Sequence, residues 1–471
     1  MKSFDLVLKG GTIVTPERAR PGDIGISDGR IAAVGLPGTL GNAAHVEDVS
    51  GLHLLPGLVD PHVHFRDPGY TYKEDWQSGS AAAAMGGVTT VLDMPNTDPA
   101  PATAQAFGAK RAIAEAASHV DFGLYGLLDE KSLPHLSALV DEGAAAFKCF
   151  MCDTTGDLPS PSDGAILEAF EILAPLGIRT TVHAENASIL EYRARRLKQA
   201  GRTDAHAHLA ARPDVAAVEA THRAISFAEW AGARLHIAHE SCAASLPVIR
   251  AAKARGVEVT AETCPHYLFF DEADLERQGG HLRINPPIRR RHDAEALWLA
   301  LRDGTIDLLA TDHAPHAPEE KQGEAIWDVA RGIVGVETQM RVMLAAVADG
   351  RLALCDYVRL ASEAPARAFG LYPRKGSLAP GADADIVAVD LSWRGAIDAA
   401  MLHSKHAFSA WHGHPAAGRV VDVYLRGQRI VAEGALVGRP GTGRMIRPEM
   451  PAPAPRNVDL TLEAETKRAS L

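Results

Sequence analysis

Residues 57–64 read GLVDPHVH, and this stretch is the first of eight similar runs that decide the fold. Each run is short and almost continuously apolar, which is the character required of parallel strands that are covered on both faces. Alanine-rich sequence of helical character follows each run, so strands and helices alternate. The other runs are GGVTTVLDMPN, VDFGLYGLL, AAAFKCFM, IRTTVHAEN, ARLHIAHES, VEVTAETCP and TIDLLATDH. This α/β pattern predicts a (β/α)8 barrel of the TIM type.

The two ends of the chain have a different texture from the middle. Residues 1–55 contain short strand-like runs separated by Gly-Gly and Asp-Gly turns, and the same texture returns in residues 375–445. Because isolated hairpins cannot bury enough apolar surface, we predict that both pieces complete one small β-sandwich domain. The barrel would then occupy residues 56–374. Residues 446–471 are rich in Pro, Ala and charge, and we predict a C-terminal arm or tail there.

The composition restricts the class of partner. The chain has 471 residues, of which 48 are Lys or Arg and 59 are Asp or Glu, so its net charge is −11. This balance disfavours nucleic acid and anionic membranes, and we expect a small-molecule substrate. No run approaches the roughly 18 consecutive apolar residues of a membrane helix, and the first residues lack a signal-peptide hydrophobic region. The five scattered cysteines predict thiols rather than a disulfide framework, so we expect a cytoplasmic protein.

Polar side chains lie at or just beyond the ends of the predicted barrel strands, where functional groups converge in such barrels. Four histidines, one lysine and one aspartate make up this set: His62, His64, Lys148, His183, His239 and Asp312. His62 and His64 are two residues apart, so on a strand both side chains point to one face and can chelate one ion. A lysine is an unusual ligand unless CO2 converts its amine to a carbamate, which can bridge two ions. The set indicates a two-metal hydrolase.

Chance placement is the alternative interpretation of these residues. A single histidine is more often a structural residue than a ligand, and the chain contains 21 histidines. Chance explains poorly the combination of an HxH pair, an aspartate in TDHAPH and strand-end histidines on two consecutive runs. In a two-metal site a bridging water loses a proton near neutral pH, and Asp312 is the natural general base that passes this proton to the leaving nitrogen.

Several motifs resemble those of the cyclic amidohydrolases of the amidohydrolase superfamily, and the resemblance covers nearly the whole chain. These motifs are HVHFRDPG, MPNT, FKCFM, VHAEN, HIAHES, ETCPHYL, NPPIR, ATDHAPH and GADADIVAVDL. Dihydroorotase is the member that the chain resembles most, and allantoinase, hydantoinase and dihydropyrimidinase are close relatives. The resemblance implies a binuclear zinc-type centre on the same ligand set, with Lys148 as N6-carboxylysine. It also implies a homodimer or a homotetramer.

The resemblance implies substrate contacts as well. In dihydroorotases, the residues that match Arg66, Asn96 and His316 hold the substrate carboxylate, and Asn285 in NPPIR is a weaker addition. A guanidinium fork binds a carboxylate bidentately, so this group favours an anionic cyclic amide or ureide. Structural alternatives remain: Arg66 could pair with a neighbouring acid, Asn96 could be a turn residue, and His316 could cap the segment that follows.

Other features favour the relatives over dihydroorotase. Many bacterial dihydroorotases that resemble this chain elsewhere carry an acidic residue at the position of Lys148, and FKCF and HSKHAFSAWHG resemble allantoinase. Allantoinase-like sequences, however, usually lack an arginine at the Arg66 position. The tyrosine that hydantoinases place soon after the lysine is missing from MCDTTGD. We therefore predict dihydroorotase, with allantoinase or hydantoinase/dihydropyrimidinase as the alternative.

The predicted reaction is the reversible interconversion of dihydroorotate and N-carbamoyl-aspartate by a metal-bridging hydroxide, a step of pyrimidine biosynthesis. A non-catalytic homologue is less favoured, because such proteins typically lose several ligands and none is lost here. The segment after Asp312, residues 313–337, is rich in Gly, Pro and charge and is predicted to fold over the pocket. Glu185, near the end of the fifth run, could orient a metal ligand.

Overall fold

The computed structural model of the chain describes residues 4–156 and 158–449. Its first strands are β1 (Phe4–Val14), β2 (Ala19–Ser27), β3 (Arg30–Gly35), β4 (Ala43–Asp48) and β5 (His53–Pro56). β1 pairs antiparallel with β2 and parallel with β4 and β5. The predicted Asp-Gly hairpin joins β2 to β3, with φ of 52° at Asp28 and 73° at Gly29. Positive φ at both central residues is the geometry that matches the twist of two paired strands.

Eight parallel strands follow and form a second sheet. They are β6 (Leu58–Val63), β7 (Val88–Asp93), β8 (Asp121–Leu128), β9 (Ala146–Phe150), β10 (Arg179–His183), β11 (Arg234–Ile237), β12 (Val259–Thr263) and β13 (Leu308–Leu309). They pair in sequence order, and a parallel bridge between Val63 and His313 connects the first strand to the segment after the last. Every residue of β6 to β10 is buried, which is why the runs are continuously apolar. The predicted barrel is confirmed.

The α-helices of the described residues lie mainly between the barrel strands. They are α1 (Trp76–Met85), α2 (Ala104–Ala117), α3 (Leu136–Glu142), α4 (Asp163–Leu173), α5 (Ala187–Gln199), α6 (Ala205–Ala211), α7 (Asp214–Ala231), α8 (Leu246–Ala254), α9 (Pro265–Phe269), α10 (Glu272–Gln278), α11 (Arg291–Asp303), α12 (Gln339–Ala348), α13 (Leu354–Val358) and α14 (Ala364–Ala368). Asp75 and Thr103 cap α1 and α2 by accepting first-turn N–H bonds. Among the residues described, no helix has the length and apolar character needed to cross a membrane.

The last strands return to the first sheet. They are β14 (Ile386–Ala396), β15 (Pro415–Leu425), β16 (Gln428–Ala432) and β17 (Ala435–Leu436). β14 pairs antiparallel with both β5 and β15, so the two ends of the chain share one nine-stranded sheet. Leu8, Ile24, Leu54, Ile386 and Tyr424 are fully buried in its core. The predicted small β-domain built from both chain ends is thus confirmed as part of the fold, while its exact limits stay a prediction.

The chain beyond the small sheet runs back along the barrel. Ile446 is buried, its N–H donates to Phe122 O at 2.7 Å, and Glu449 N–H donates to Gly370 O at 2.7 Å. The predicted arm therefore begins at a packed residue. The rest of that arm, residues 450–471, lies outside the described residues.

A buried charge network joins the small domain to the amino-terminal end of the barrel. Lys375 Nζ lies 2.5 Å from Asp121 Oδ2, 3.0 Å from Asp383 Oδ2 and 2.6 Å from Asp385 Oδ2. Asp121, the first residue of β8, also pairs with Arg426. The carboxylates lie close enough together to hold a cation, and the lysine ammonium takes that place.

Candidate metal centre and active site

The HxH pair meets the aspartate at the carboxyl end of the barrel. His62 is the penultimate residue of β6, His64 follows that strand, and Asp312 lies three residues beyond β13. His62 Nε2 is 3.3 Å and His64 Nε2 3.1 Å from Asp312 Oδ1. All three side chains are buried, and their ligand atoms lie within 4.8 Å of one another. This group can hold one cation.

The other predicted ligands lie on the neighbouring strands. Lys148 is the central residue of β9, His183 ends β10, and His239 lies two residues beyond β11. The ring centroids of His183 and His239 are 4.5 Å apart, and those of His62 and His239 are 5.2 Å apart. One cavity of about 40 Å³ is lined by the whole predicted ligand set. The structure thus brings together every metal ligand that the sequence predicts.

Burial sets the protonation of this pocket. It lowers the pKa of all four histidines, that of His62 to about 4, so the imidazoles are neutral at pH 7. Burial also lowers the pKa of the Lys148 amine. Burial raises the pKa of Asp312, and the nearby Lys148 opposes that rise. Neutral imidazole is the form that binds a metal, and a neutral amine is the form that reacts with CO2.

Unpartnered atoms show that the pocket fits a metal centre. Lys148 Nζ, His64 Nδ1 and His239 Nδ1 are buried and have no hydrogen-bond partner among the described residues. Leaving a buried polar atom unpaired is unfavourable by about 1–3 kcal/mol, so a bound group that engages the Lys148 amine would remove a penalty. Imidazole nitrogens with carboxylate oxygens are the donors that zinc-type cations prefer. The residues present therefore fit divalent cations.

Glu262 is a functional residue that the sequence analysis missed. It lies in β12, and its carboxylate accepts hydrogen bonds from His62 Nδ1 at 2.5 Å, His236 Nε2 at 3.0 Å and the backbone N–H of His239 at 3.1 Å. The bond to Nδ1 fixes the tautomer of His62 and turns its Nε2 toward the cavity. The available signal was the motif ETCPHYL, which places this acid at the end of the seventh barrel strand.

Glu185 makes a similar contact to another ligand. Its Oε2 lies 2.8 Å from His183 Nε2 and 2.9 Å from Arg212 Nη1, and the side chain is fully buried. Burial raises the pKa of Glu185, but Arg212 and His183 outweigh burial and lower it to about 2. An ionised carboxylate is thus held beside the imidazole.

Three of the four predicted substrate contacts line the metal pocket: Arg66, Asn96 and Asn285. Arg66 is buried, and its Nε and Nη1 have no hydrogen-bond partner among the described residues. Asn96 Nδ2 donates to Thr155 O at 2.7 Å, while its Oδ1 and that of Asn285 are unpaired. Several polar atoms in this pocket are therefore open to a substrate.

His316 lies elsewhere, on an adjoining cavity. Its Nε2 donates to Arg331 O at 3.1 Å, and its Nδ1 lies 3.3 Å from Lys73 Nζ, which can donate to it. Both ring nitrogens are thus engaged with the protein. Contact of His316 with a substrate stays a prediction.

The backbone is strained at three of these positions. Arg66, His239 and Asp312 have φ of 63°, 38° and 45°, in the left-handed region that non-glycine residues rarely adopt. Each lies where the chain leaves a barrel strand, and the left-handed conformation directs its side chain into the pocket. Such strain is typical of functional sites, where the surrounding structure holds it in place.

The adjoining cavity has a volume of about 560 Å³ and shares Asp153, Thr154, Thr155 and Arg331 with the metal pocket. Part of the segment 313–337, including His316, Trp327 and Arg331, also lines this cavity. This volume is in the range of small-molecule sites. The two cavities therefore adjoin each other through these shared residues.

The fold and this site are those of a hydrolase of the barrel class, with polar groups that fit divalent cations at the carboxyl end of the barrel. Residues 53–430 match the model of the amidohydrolase family, and the chain belongs to that family.

Relatives of known name are similar over almost the whole chain. An allantoinase of Rubrobacter xylanophilus is 39% identical over 452 residues, which cover 95% of this chain and 99% of that protein. An L-hydantoinase of Paenarthrobacter aurescens is 34% identical over 448 residues, covering 94% and 98%. The solved structure of an L-hydantoinase (dihydropyrimidinase) from Arthrobacter aurescens superimposes with a TM-score of 0.92 at 34% identity, covering 94% of this chain and 100% of that chain. The chain is a hydrolase of cyclic amides.

These comparisons contradict the prediction of dihydroorotase, which is wrong, and they do not support the associated role in pyrimidine biosynthesis. The relatives are named allantoinase and hydantoinase. The error came from the weight given to Arg66. Its unpaired donors fit an oxygen acceptor in general, so they do not single out a ring carboxylate. The lysine at position 148, by contrast, indicated the correct branch.

Proposed function

We propose that this protein opens the ring of a five-membered cyclic ureide, with allantoin as the first candidate substrate. The observation that carries the proposal is the unpartnered amine of Lys148 among neutral histidines, in a chain 39% identical to an allantoinase. Hydantoin is the second candidate, because the structure superimposes on an L-hydantoinase with a TM-score of 0.92. Both rings present an amide carbonyl to the same set of groups.

We further propose that the ligand set His62, His64, Lys148, His183, His239 and Asp312 holds two zinc-type cations. Lys148 would first react with CO2: its nitrogen forms a bond to carbon and loses one proton, which gives a carbamate whose two oxygens share one negative charge. This carbamate would hold the cations together with the histidines and Asp312. When bound, the two cations would lower the pKa of water and polarise the ring carbonyl. A homodimer or homotetramer also remains a proposal.

The protein's own residues would handle the proton and the substrate. Asp312 has a raised pKa, so its carboxyl group can take a proton during attack and return it to the ring nitrogen as the C–N bond breaks. The free N–H groups of Arg66 would hold an oxygen acceptor of the substrate, a carbonyl or a carboxylate. Asn96 and Asn285 would contact a different part of the substrate, because their unpaired Oδ1 atoms can accept hydrogen bonds from ring N–H groups.

A panel of substrates tests the proposal. Purified protein supplied with zinc and bicarbonate is assayed with allantoin, hydantoin, dihydrouracil and dihydroorotate. We expect kcat/KM for allantoin or hydantoin to exceed that for dihydroorotate at least about tenfold, the difference that one good polar contact makes. If protein that carries its metal opened none of these rings, the proposed function would be refuted.

A substitution at the central lysine tests the metal centre separately. Lys148→Ala should lose activity and one of the two cations, and short carboxylic acids such as propionate should restore part of both. Lys131→Ala, at an exposed lysine, is the matched control. Wild-type activity in Lys148→Ala would refute the carbamate.

A further inference from the structure

Five cationic and four acidic side chains line the cavity beside the metal pocket, and its three arginines differ in their partners. Arg212, Arg283 and Arg331 all line it. Arg212 pairs with Glu185 at 2.9 Å and with Asp153 at 3.3 Å, and Arg331 pairs with the same Asp153. Arg283 differs from its two neighbours, because the hydrogen bond that it makes is to a backbone carbonyl, Val329 O.

Arg283 is buried in an unfavourable environment for a cation. It is 7% exposed, and its Nε has no hydrogen-bond partner among the described residues. Burial lowers its pKa to about 10, the guanidinium groups of Arg331 and Arg212 add to this effect, and the carboxylates of Asp153 and Asp328 oppose it. The side chain is still charged at neutral pH. A buried charged donor without a partner is a group that a ligand oxygen would stabilise.

Several backbone carbonyls around Arg283 already accept hydrogen bonds from other groups of the described residues. The four carbonyl oxygens of residues 329–332 already accept hydrogen bonds from side chains. Arg283 Nη1 donates to the first, Lys321 Nζ to the second and fourth at 2.9 Å each, and His316 Nε2 to the third at 3.1 Å. The carbonyl of Ile284 accepts from His208 Nε2 at 2.9 Å. The backbone carbonyls named here are therefore occupied, while the carboxylates of Glu191, Glu320 and Asp328 also belong to the cavity lining.

We propose that the cavity binds an arm attached to the substrate ring, that this arm ends in an oxygen acceptor, and that Arg283 determines this specificity. The inference rests on the proposed ring-opening function and names the class of substrate within it. The ring would lie at the metal pocket, and the arm would pass Asp153 and Arg331, which line both cavities. A ureido carbonyl and a carboxylate share the required chemistry, since each offers an sp² oxygen to a guanidinium.

An apolar arm fits the same space less well. Leu190, Ala194 and Ala211 supply apolar contacts on the opposite part of the lining. An alkyl arm would exclude water from Arg283 without giving its Nε a partner. We therefore expect wild-type protein to prefer an acceptor-bearing arm over an alkyl arm of similar size by about 10- to 100-fold in kcat/KM.

The test compares Arg283→Met with wild type on four hydantoins, using the metal-loaded protein. Allantoin has a ureido arm, hydantoin-5-acetic acid a carboxylate arm, 5-isopropylhydantoin an alkyl arm, and hydantoin no arm. We expect Arg283→Met to lower kcat/KM about 10- to 100-fold for the first two and less than about threefold for the last two. If Arg283→Met loses more kcat/KM with hydantoin-5-acetic acid than with allantoin, the preferred acceptor is a carboxylate. If it loses more with allantoin, the preferred acceptor is a ureido carbonyl.

Two further variants make the outcome decisive. Arg283→Lys keeps the charge and can still donate to Val329 O, so it should retain part of the preference even if Arg283→Met loosens the cavity wall. Arg195→Met changes an exposed arginine on α5 and should leave all four substrates unaffected. An equal loss on all four hydantoins in both Arg283 variants would overturn the inference. Wild-type protein inactive on every hydantoin would instead refute the ring-opening function.

Discussion

Two substitutions of Glu262 distinguish the effect of its negative charge from the effect of its hydrogen bonds. In Glu262→Gln, the remaining oxygen can still accept from His62 Nδ1. His236 can keep its bond by changing tautomer, because its Nδ1 lies 2.7 Å from Thr260 Oγ1 and can donate there. The geometry is thus preserved and the negative charge is lost. In Glu262→Leu the acceptor disappears and the buried Nδ1–H of His62 has no partner.

The two variants should weaken metal binding by different amounts. A hydrogen bond to a charged group contributes about 1.5–3 kcal/mol and a neutral one about 0.5–1.5 kcal/mol. Glu262→Gln should therefore lose about 1–1.5 kcal/mol at His62, which is about a tenfold weaker affinity for zinc. Glu262→Leu should lose the whole bond, about 10- to 150-fold. Changes of this size are usual when the partner of a ligating histidine is removed.

The assay is a zinc titration of the metal-free protein in competition with a chromophoric chelator. Thermal unfolding of each metal-free variant shows that the protein is folded. Glu258→Gln, at an exposed glutamate just before β12, is the matched control and should bind zinc as wild type does. Wild-type affinity in both folded Glu262 variants would mean that this carboxylate does not orient His62.

Two other predictions concern stability. Lys375→Met should lower the free energy of unfolding in urea at pH 7 by about 3–5 kcal/mol, because it leaves buried carboxylates without their shared cation. Lys131→Met is the control and should have no effect. An equal loss of stability in Lys131→Met would contradict this explanation. In metal-free protein, Glu185→Gln should cost about 3 kcal/mol at pH 7, since the pKa of Glu185 is lowered from 4.5 to about 2. A lowered carboxyl pKa contributes stability above pH 4.5 that is lost as the pH falls through 2. The difference in unfolding free energy between wild type and Glu185→Gln should therefore shrink to about half by pH 3. A difference that does not change with pH would refute this prediction.

The barrel was predictable from sequence because its strands are covered on both faces. The residues of β9, Ala146–Phe150, are all buried, so the run is apolar at successive positions and even its lysine points inward. The eighth run was harder, because the regular strand covers only Leu308–Leu309. Asp312 lies beyond this strand in a left-handed backbone conformation, which no pattern in the sequence predicts.

The site was only partly predictable, for two physical reasons. The proposed metal ligands other than Lys148, which is central in β9, lie at or just beyond strand ends, and the strand ends of a barrel converge whatever the loops do. Glu262 was missed because its partner His62 is 200 residues away, and only the register of the closed sheet brings the two together. The substrate was predicted wrongly from Arg66, because one arginine indicates that the ligand has an oxygen acceptor but does not indicate which molecule contains that acceptor. Other residues that line the pocket lie on loops, such as Thr154, Thr155 and Arg331.

Two buried clusters of charged groups lie at opposite ends of the barrel, and they differ in whether the buried lysine is paired within the protein. At the amino-terminal end, Asp121, Asp383 and Asp385 each lie within 3.0 Å of Lys375, so the cluster is complete within the protein. At the carboxyl end, the Lys148 amine is equally buried, and among the described residues it has no hydrogen-bond partner. Burial of an amine without a partner is unfavourable, and a group bound at the metal pocket would supply the missing contact. Unpaired buried atoms also occur elsewhere among the described residues, such as Trp76 Nε1 and Tyr357 Oη, so an unpaired atom alone does not locate a site. The unpaired Lys148 amine indicates the site because four histidines and an aspartate line the same pocket, at the end where barrels carry out their chemistry.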